Sequence, residues 1–180
     1  MKILVVGSGG REHAIIRALK KSPKAETIYA LPGNGGIAAD AICVEGSATD
    51  IDRVVGFSKD NGIDFVVVAP DNPLVLGMVD ALNEAGIATF GPRANAAILE
   101  GSKVFSKNLM KKYGIPTARY ETFDDAHAAV AYIEKMNEYP VVIKADGLAL
   151  GKGVIIAQNF AEAQDAVKSI MEDKAFGASG

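Results

Sequence analysis

The sequence predicts an α/β fold, in which a doubly wound parallel sheet is followed by a unit containing an antiparallel hairpin. Short apolar runs such as ILVV (3–6) and DFVVVAP (64–70) alternate with amphipathic helical segments, the pattern of a parallel sheet. Consecutive apolar residues leave a strand no solvent face, so these strands are expected to be buried on both sides. In PVVIKADGLALGKGVIIAQ (140–158), two apolar runs are joined by a glycine-rich loop too short for a crossover helix, which predicts the hairpin.

The remaining elements follow the same alternation. The predicted order is strand 3–6, helix 11–21, strand 27–31, helix 50–61 with a cap at Thr49 or Asp50, strand 64–70, helix Pro73–Ala85, strand 87–92, helix 101–116 between Ser102 and Gly114, the hairpin, and a helix at about 161–172. Near residue 101 the alternation of strands and helices gives way to a capped helix and a hairpin, so we expect domains over 1–101 and 102–180. In residues 102–180, one hairpin and two helices offer few apolar residues for an independent hydrophobic core. A truncated chain is the preferred explanation, and a disordered natural tail is the alternative.

Composition narrows the class of protein. Of the 180 residues, 49% are hydrophobic and the net charge is −3, as in ordinary globular domains. With no basic block, a nucleic-acid partner is not expected, and no apolar run approaches the roughly 20 residues of a membrane span. The N-terminus lacks a signal-peptide pattern, and the single cysteine, Cys43, offers neither a disulfide nor a cysteine metal site. These features favour a reduced, cytoplasmic setting.

The first strand runs into the glycine cluster GSGGREH (7–13), which invites comparison with a dinucleotide-binding turn. Gly7 and Gly9 fit the G-x-G-x-x-G fingerprint, but Glu12 holds the place of the third glycine, which allows close helix–strand packing. The acidic residue expected at the end of the second strand is replaced by Leu31 and Pro32. An NAD-dependent oxidoreductase is therefore a weak interpretation.

The same turn still suits a phosphate. Gly9 and Gly10 let backbone N–H groups approach an anion at the helix N-terminus, where the helix dipole adds partial positive charge. Arg11 supplies a forked donor that suits a phosphate monoester. The alternative is a tight turn in which glycine serves geometry alone.

Polar and small residues also follow the other strands. The turns are LPGNGG (31–36), APDNP (69–73) and FGP (90–92), and in a parallel sheet all of them lie at the carboxyl edge, where ligands bind. Asn34 offers both a donor and an acceptor, and Asp71 and Asn72 can hold hydroxyl groups. Together they predict a pocket for a polyhydroxylated phosphate, such as a sugar phosphate. Alternatively, Asp71 does not bind a ligand and only forms the turn before Pro73.

The hairpin carries a second candidate site. Lys144 interrupts an apolar alternation, and burying an ammonium there requires an anion, unless the side chain reaches the sheet edge. The loop DGLALGKG (146–153) resembles the flexible glycine loops that cover ATP phosphates, although it is neither a Walker loop nor a kinase loop. Lys103 and Lys107 lie four residues apart on one helical face, where one of them can reach a nucleotide or both can be solvated.

These segments resemble the phosphoribosylamine–glycine ligases, or glycinamide ribonucleotide synthetases, of the ATP-grasp superfamily. The resemblance covers the whole chain and rests on GSGGREHA, LPGNGG, P-x-x-P-L at 70–74, FGP, GSKVFSK and VVIKADGLALGKGV. It implies a substrate-binding α/β domain over 1–101 and an incomplete ATP-grasp domain over 102–180. It also implies an ATP-dependent ligation of 5-phosphoribosylamine and glycine in purine biosynthesis, with Mg²⁺ or Mn²⁺, through attack of the glycine carboxylate on the γ-phosphate and displacement of phosphate by the amine.

The resemblance also implies roles for individual residues. Those by the ribose 5-phosphate would be Gly9, Gly10, Arg11, Gly33, Asn34, Gly36 and Asp71. Those by the nucleotide would be Lys107 and Lys144, with Gly147, Gly151, Lys152 and Gly153 in a mobile lid over the phosphates. The family usually has glutamate in place of Asp71, so the reach of this side chain is shorter here.

The family is more than twice as long as this chain. The metal carboxylates, the adenine hinge and most of the glycine site would then lie beyond Gly180, so no metal ligand or catalytic residue is assigned and the chain alone is expected to be inactive. Two alternatives stay open: another ATP-grasp carboxylate–amine ligase, and a non-catalytic module that binds a nucleotide or sugar phosphate.

Overall fold

A computed structural model describes residues 1–149 and 152–179, without the side chain of Ala178. The chain forms two compact units, Met1–Ile98 and Leu99–Gly180. None of the helices in the described ranges has the length and apolar character needed to cross a bilayer.

The first unit contains the predicted parallel sheet. Its strands are β1 (Lys2–Gly7), β2 (Thr27–Pro32), β3 (Ile42–Cys43), β4 (Phe65–Val68) and β5 (Thr89–Phe90), in the order β3-β2-β1-β4-β5. All pairings are parallel. Strand β3 was not predicted; it has two residues, and both are exposed at the sheet edge. The order changes direction between β1 and β4, which is where open α/β sheets form a ligand crevice.

The apolar runs are buried on both faces of the sheet, as expected. On β1, Leu4 and Val6 belong to one buried cluster, whereas Ile3 and Val5 belong to another. The first cluster includes residues of α2 (Ile51–Asp60), α3 (Asp71–Val75) and α4 (Met78–Glu84); the second includes Ile16 of α1 (Gly10–Leu19). Since successive strand residues point to opposite faces, helices on both faces account for the unbroken apolar run.

The expected single helix over Pro73–Ala85 is wrong. Gly77 adopts a φ of 89°, which separates α3 from α4. This left-handed conformation favours glycine and interrupts the helical hydrogen bonding. A lone glycine inside a helical pattern does not reveal such a break, because many helices tolerate one.

The second unit contains the predicted antiparallel hairpin, formed by β6 (Val141–Lys144) and β7 (Val154–Ala157). Its helices are α5 (Ala94–Gly101, which begins in the first unit), α6 (Lys103–Lys112), α7 (Ala126–Met136) and α8 (Phe160–Val167), the last continued by a π-helical turn, Lys168–Glu172. Helices α5 and α7 were not predicted. Ser102 caps α6 as expected, accepting a hydrogen bond from Phe105 N–H at 3.0 Å.

The core of the second unit is small. Its main buried cluster consists of Ala129, Ile133, Ala157, Ala163 and Val167, from α7, β7 and α8. The unpredicted helix α7 thus supplies part of the core that the sequence interpretation found too thin.

Candidate functional site

The turn from β1 to α1 is built around the buried side chain of Glu12, which is 3% exposed. Its Oε2 accepts a hydrogen bond from Gly9 N–H at 2.6 Å. The side chain lies over Gly7, where an added Cβ would come within 2.6 Å of Glu12 Cγ and 2.8 Å of Pro70 Cγ. Glu12 therefore fills the space that the dinucleotide fingerprint leaves open with its third glycine.

This arrangement changes which amides can meet an anion. The Gly9 N–H, assigned to a phosphate from the sequence, donates to the protein's own carboxylate. The first intrahelical bond runs from His13 N–H to Gly9 O, so Gly10, Arg11 and Glu12 contribute the first-turn N–H groups that have no partner within the helix. The α1 N-terminus keeps its anion-binding character, displaced from Gly9 to the residues that follow.

Arg11 and Asp71, predicted to share a pocket, come together in the structure. Arg11 Nη1 lies 3.5 Å from Asp71 Oδ1, with the two side chains 68% and 41% exposed. They follow β1 and β4, so the pair lies at the point where the strand order reverses. An exposed ion pair of this kind contributes at most about 1 kcal/mol, so the guanidinium can exchange the carboxylate for a phosphate at small cost.

The loop after β2 is tied to the end of β1. Asn34 Nδ2 donates to Ser8 O at 2.6 Å, and its Oδ1 accepts from Ile37 N–H at 2.9 Å. Gly33 N–H donates to Gly7 O at 3.1 Å. The Gly33 φ is 69°, and an added Cβ would come within 2.5 Å of Cys43 Sγ, so this position requires glycine. The amide of Asn34 thus joins two loops of the predicted pocket.

The structure adds a cluster that the sequence interpretation missed. His13 Nε2 lies 2.8 Å from Asp40 Oδ2, and Lys20 Nζ lies 2.7 Å from Asp40 Oδ1. The hydrogen bond from Lys20, followed by that from His13, lowers the pKa of Asp40 to about 2. His13 is part of the GREH segment, but Asp40 follows 27 positions later without any motif, so only the fold brings them together.

In the second unit, Lys144 is not buried beside an anion, which is one of the two possibilities that the sequence left open. Its side chain is exposed, on the hairpin face shared with Val142, Val154 and Ile156, which are 49%, 43% and 58% exposed. The alternating pattern was read correctly as a strand, but the apolar face around Lys144 lacks a covering layer in the described part of the chain. Lys144 is accordingly accessible to an anion without the penalty of burial.

The glycine loop is anchored to α6. Lys103 Nζ donates to Asp146 O at 3.0 Å and to Gly147 O at 2.8 Å. The Asp146 carboxylate accepts from Ser102 Oγ at 2.9 Å and from Val104 N–H at 2.7 Å. Lys103 and Asp146 therefore fix the start of the loop. The sequence did not predict this anchoring role for either residue.

The predicted lid glycines differ in their surroundings. An added Cβ at Gly147 would come within 2.7 Å of Ser179 Oγ, and one at Gly153 would come within 2.8 Å of Ala149 Cβ. Both positions thus need glycine for close packing. Lys152 is exposed, and Gly151 lies outside the described residues.

Lys107 contacts its own chain. Its Nζ donates to Thr117 Oγ1 at 2.6 Å and to Ala118 O at 2.9 Å, and lies 5.1 Å from the ring centroid of Tyr120. Any contact with a nucleotide therefore requires Lys107 to exchange these partners.

The described residues do not fit a metal ion. Within 1–149 and 152–179, no three His, Cys, Asp or Glu side chains are grouped as ligands of a divalent cation.

Comparison with known proteins covers both units. Residues 1–100 match the family described as phosphoribosylglycinamide synthetase, N domain, and residues 101–180 match its ATP-grasp (A) domain. The phosphoribosylamine–glycine ligase of Caldanaerobacter subterraneus subsp. tengcongensis is 48% identical over 180 residues, which are 100% of this chain and 43% of that relative. The ligase of Listeria monocytogenes is 52% identical over 178 residues, covering 98% of this chain and 42% of the relative.

Solved structures agree with these matches. The phosphoribosylamine–glycine ligase from Thermotoga maritima superposes with a TM-score of 0.76 at 33% identity, covering 98% of this chain and 41% of that one. The N5-carboxyaminoimidazole synthase from Aspergillus clavatus, solved with ADP and 5-aminoimidazole ribonucleotide, gives a TM-score of 0.73 at 18% identity, covering 96% of this chain and 44% of that one, and supports the fold alone. The chain thus spans less than half the length of these relatives. Because the two family matches cover residues 1–180 and the fold agrees with them, the chain belongs to the phosphoribosylglycinamide synthetase family.

Proposed function

We propose that this chain supplies the sugar-phosphate-binding domain and the first part of the ATP-grasp domain of an enzyme that joins 5-phosphoribosylamine to glycine with ATP, in purine biosynthesis. The observation that carries the proposal is the meeting of Arg11 with Asp71 beside the α1 N-terminus, where the sheet order reverses. That crevice combines a forked cation, backbone donors and a carboxylate, which are the groups a phosphorylated sugar needs.

In the first unit, the phosphate lies against the N–H groups of Gly10 and Arg11 and the Arg11 guanidinium. Gly9 shapes the turn while its own amide stays with Glu12. Asp71, released from Arg11, accepts hydrogen bonds from the hydroxyl or amino groups of the sugar. Gly33, Asn34 and Gly36 form the adjoining wall, because hydrogen bonds from Asn34 and Gly33 hold this loop against the end of β1.

In the second unit, ATP phosphates lie beside Lys144 and Lys152, under the loop that contains Gly147, Gly151 and Gly153. Among the described residues neither lysine side chain has an ion-pair partner, and both are exposed, so their ammonium groups are available to phosphate oxygens. Lys107 joins the nucleotide site by exchanging Thr117 and Ala118 for a nucleotide oxygen.

The chemistry follows the needs of phosphoryl transfer. The glycine carboxylate attacks the γ-phosphorus, ADP leaves, and the phosphoribosylamine nitrogen then displaces phosphate from the acyl carbon and loses a proton. The lysines and loop amides neutralise charge on the transferring oxygens. Mg²⁺ or Mn²⁺ would assist this in the whole enzyme, with ligands other than the described residues.

The two-site division is tested by calorimetry with ribose 5-phosphate and ATP, titrated separately. Arg11→Ala should weaken ribose 5-phosphate binding about 10- to 150-fold, the loss of one charge-assisted contact, and change ATP affinity less than twofold. Lys144→Ala should do the reverse. Arg17→Ala and Lys135→Ala, basic residues in the last turns of α1 and α7, are the matched controls and should affect neither ligand.

Equal effects of Arg11→Ala and Lys144→Ala on both ligands would contradict the two sites. In the complete enzyme, the same variants should separate in their Michaelis constants for phosphoribosylamine and ATP. Absence of phosphate release that depends on both ATP and glycine would contradict the proposed reaction.

A further inference from the structure

The loop after β2 contains a gap beside Gly36. The backbone conformation at this position does not require glycine. Gly36 has a φ of −72° and a ψ of −42°, a conformation open to any residue. An added Cβ would lie 3.2 Å from Asn34 Oδ1 and 3.6 Å from both Nδ1 and Cε1 of His13. We call this space, bounded by Gly36, Asn34 and His13, the Gly36 notch. Glycine at this position provides room between two polar side chains.

One wall of the notch is an imidazole with a fixed orientation. His13 Nε2 lies 2.8 Å from Asp40 Oδ2, and Lys20 donates to the other carboxylate oxygen at 2.7 Å. The low pKa of Asp40 keeps this carboxylate ionised at neutral pH, so it can only accept hydrogen bonds. Nε2 therefore carries a hydrogen, and Nδ1 is the ring nitrogen that faces the notch.

The other wall presents a hydrogen-bond acceptor. Asn34 Oδ1 accepts one hydrogen bond, from Ile37 N–H at 2.9 Å. A carbonyl oxygen has two lone pairs, so one remains for a ligand. Asn34 Oδ1 on one side of the gap and His13 Nδ1 on the other select a group that can both donate and accept hydrogen bonds. A hydroxyl group, with one O–H and two lone pairs, fits this space and this chemistry better than a phosphate.

The notch lies at the carboxyl ends of β1 and β2, next to the α1 N-terminus. Asn34 Nδ2 donates to Ser8 O at 2.6 Å, which places the notch wall against the turn that leads to Gly10 and Arg11. A sugar whose phosphate lies at Gly10 and Arg11 can therefore extend toward His13.

We propose that the Gly36 notch binds a hydroxyl group of the phosphorylated sugar, with His13 as a ligand-binding residue and Asp40 as the residue that positions it. This inference rests on the proposed function and specifies how the sugar ring is recognised. It predicts that His13 matters for the sugar and not for the phosphate.

Two amide variants of His13 separate a ligand contact from a structural role. In His13→Asn the side-chain amide occupies the place of Nδ1 and loses Asp40, whereas in His13→Gln it reaches the place of Nε2, keeps Asp40 and loses Nδ1. Calorimetry on the 180-residue chain should show His13→Gln binding ribose 5-phosphate about 5- to 10-fold more weakly, and inorganic phosphate within twofold of wild type. His13→Asn should retain the larger part of the sugar affinity.

The opposite order, with His13→Gln like wild type and His13→Asn impaired, would overturn the inference, since Asp40 would then be the only partner that matters. An equal loss of inorganic phosphate binding in His13→Gln would also overturn it, because His13 would then serve the phosphate. Amide spectra of each variant check that the fold is retained.

The glycines of the loop provide a matched second test. Gly36→Ala places a methyl group in the notch and should weaken ribose 5-phosphate binding at least fivefold. Gly35→Ala meets nothing within 4 Å and should leave binding unchanged. Equal binding by both variants would contradict the notch. A wild-type chain that does not bind ribose 5-phosphate would overturn the proposed function as well, whereas binding that depends on Arg11 but not on His13 or Gly36 would overturn this inference alone.

Discussion

Replacing Glu12 by alanine should lower the free energy of unfolding of the first unit by about 2 kcal/mol. The substitution removes a charge-assisted hydrogen bond to Gly9 N–H, worth about 1.5–3 kcal/mol, and about 0.8 kcal/mol of buried methylene. Part of this loss is offset, because Glu12 Oε1 is buried without a hydrogen-bond partner among the described residues, and its removal relieves about 1 kcal/mol. Glu12→Gln keeps the acceptor and the length, so it should cost about half as much.

Urea unfolding measures these differences, and amide hydrogen exchange locates them. In wild type the Gly9 amide should exchange slowly, and in Glu12→Ala it should exchange as fast as an exposed amide. Glu45→Ala, an exposed loop carboxylate, is the control and should change stability by less than about 0.5 kcal/mol. Wild-type stability together with slow Gly9 exchange in Glu12→Ala would refute the reasoning that this carboxylate caps α1.

Three further predictions concern charge, space and a lysine contact. Urea unfolding of wild type and Asp40→Asn, followed against pH, should show the largest stability difference above about pH 4. Because the pKa of Asp40 is lowered to about 2 from an ordinary value of about 3.8, this difference should shrink as the pH falls through that range and be lost below about pH 2. A difference at pH 2 as large as that at pH 5 would contradict the carboxylate's part in it. Gly7→Ala should destabilise the fold by more than about 2 kcal/mol in thermal unfolding, since the φ of Gly7 is 123° and an added Cβ would overlap Glu12. Gly56→Ala, in the interior of α2 with nothing within 4 Å of the added Cβ, should stabilise the fold by about 0.5–1 kcal/mol. Equal effects of the two variants would contradict the packing of Glu12 over Gly7. Lys107→Gln should raise the rate of amide hydrogen exchange over residues 115–120, because it removes the contacts with Thr117 and Ala118. Lys144→Gln is the control and should leave the exchange of that segment unchanged. Equal exchange rates in both variants would contradict the role of Lys107 in holding this segment.

The β1–α1 turn illustrates how far local sequence reasoning reaches. Glu12 was recognised as a departure from the dinucleotide fingerprint, and its side chain fills the space over Gly7. Its capping of Gly9 was not predicted, because whether a side chain turns back to its own helix or toward a ligand depends on the space over Gly7, and that space is closed by Pro70 from another strand end.

The second unit shows the converse limit. The alternation in VVIKAD correctly predicted a strand, and the short glycine loop correctly predicted antiparallel pairing. Whether Lys144 is buried or reaches solvent stayed open, because a strand has two faces and its sequence does not say which face is covered. Helix α7 was not predicted, although Asp125 caps its N-terminus by accepting a hydrogen bond from Ala128 N–H at 2.7 Å.

By itself the sequence determined the parallel sheet, the hairpin and the resemblance to a ligase family, because apolar periodicity and glycine motifs are properties of neighbouring residues. Only the tertiary structure decided that Arg11 meets Asp71, that Asp40 fixes His13, and that Lys103 holds the glycine loop. These contacts join residues far apart in the chain, and their geometry is set by strand order and loop packing, which a linear pattern does not encode.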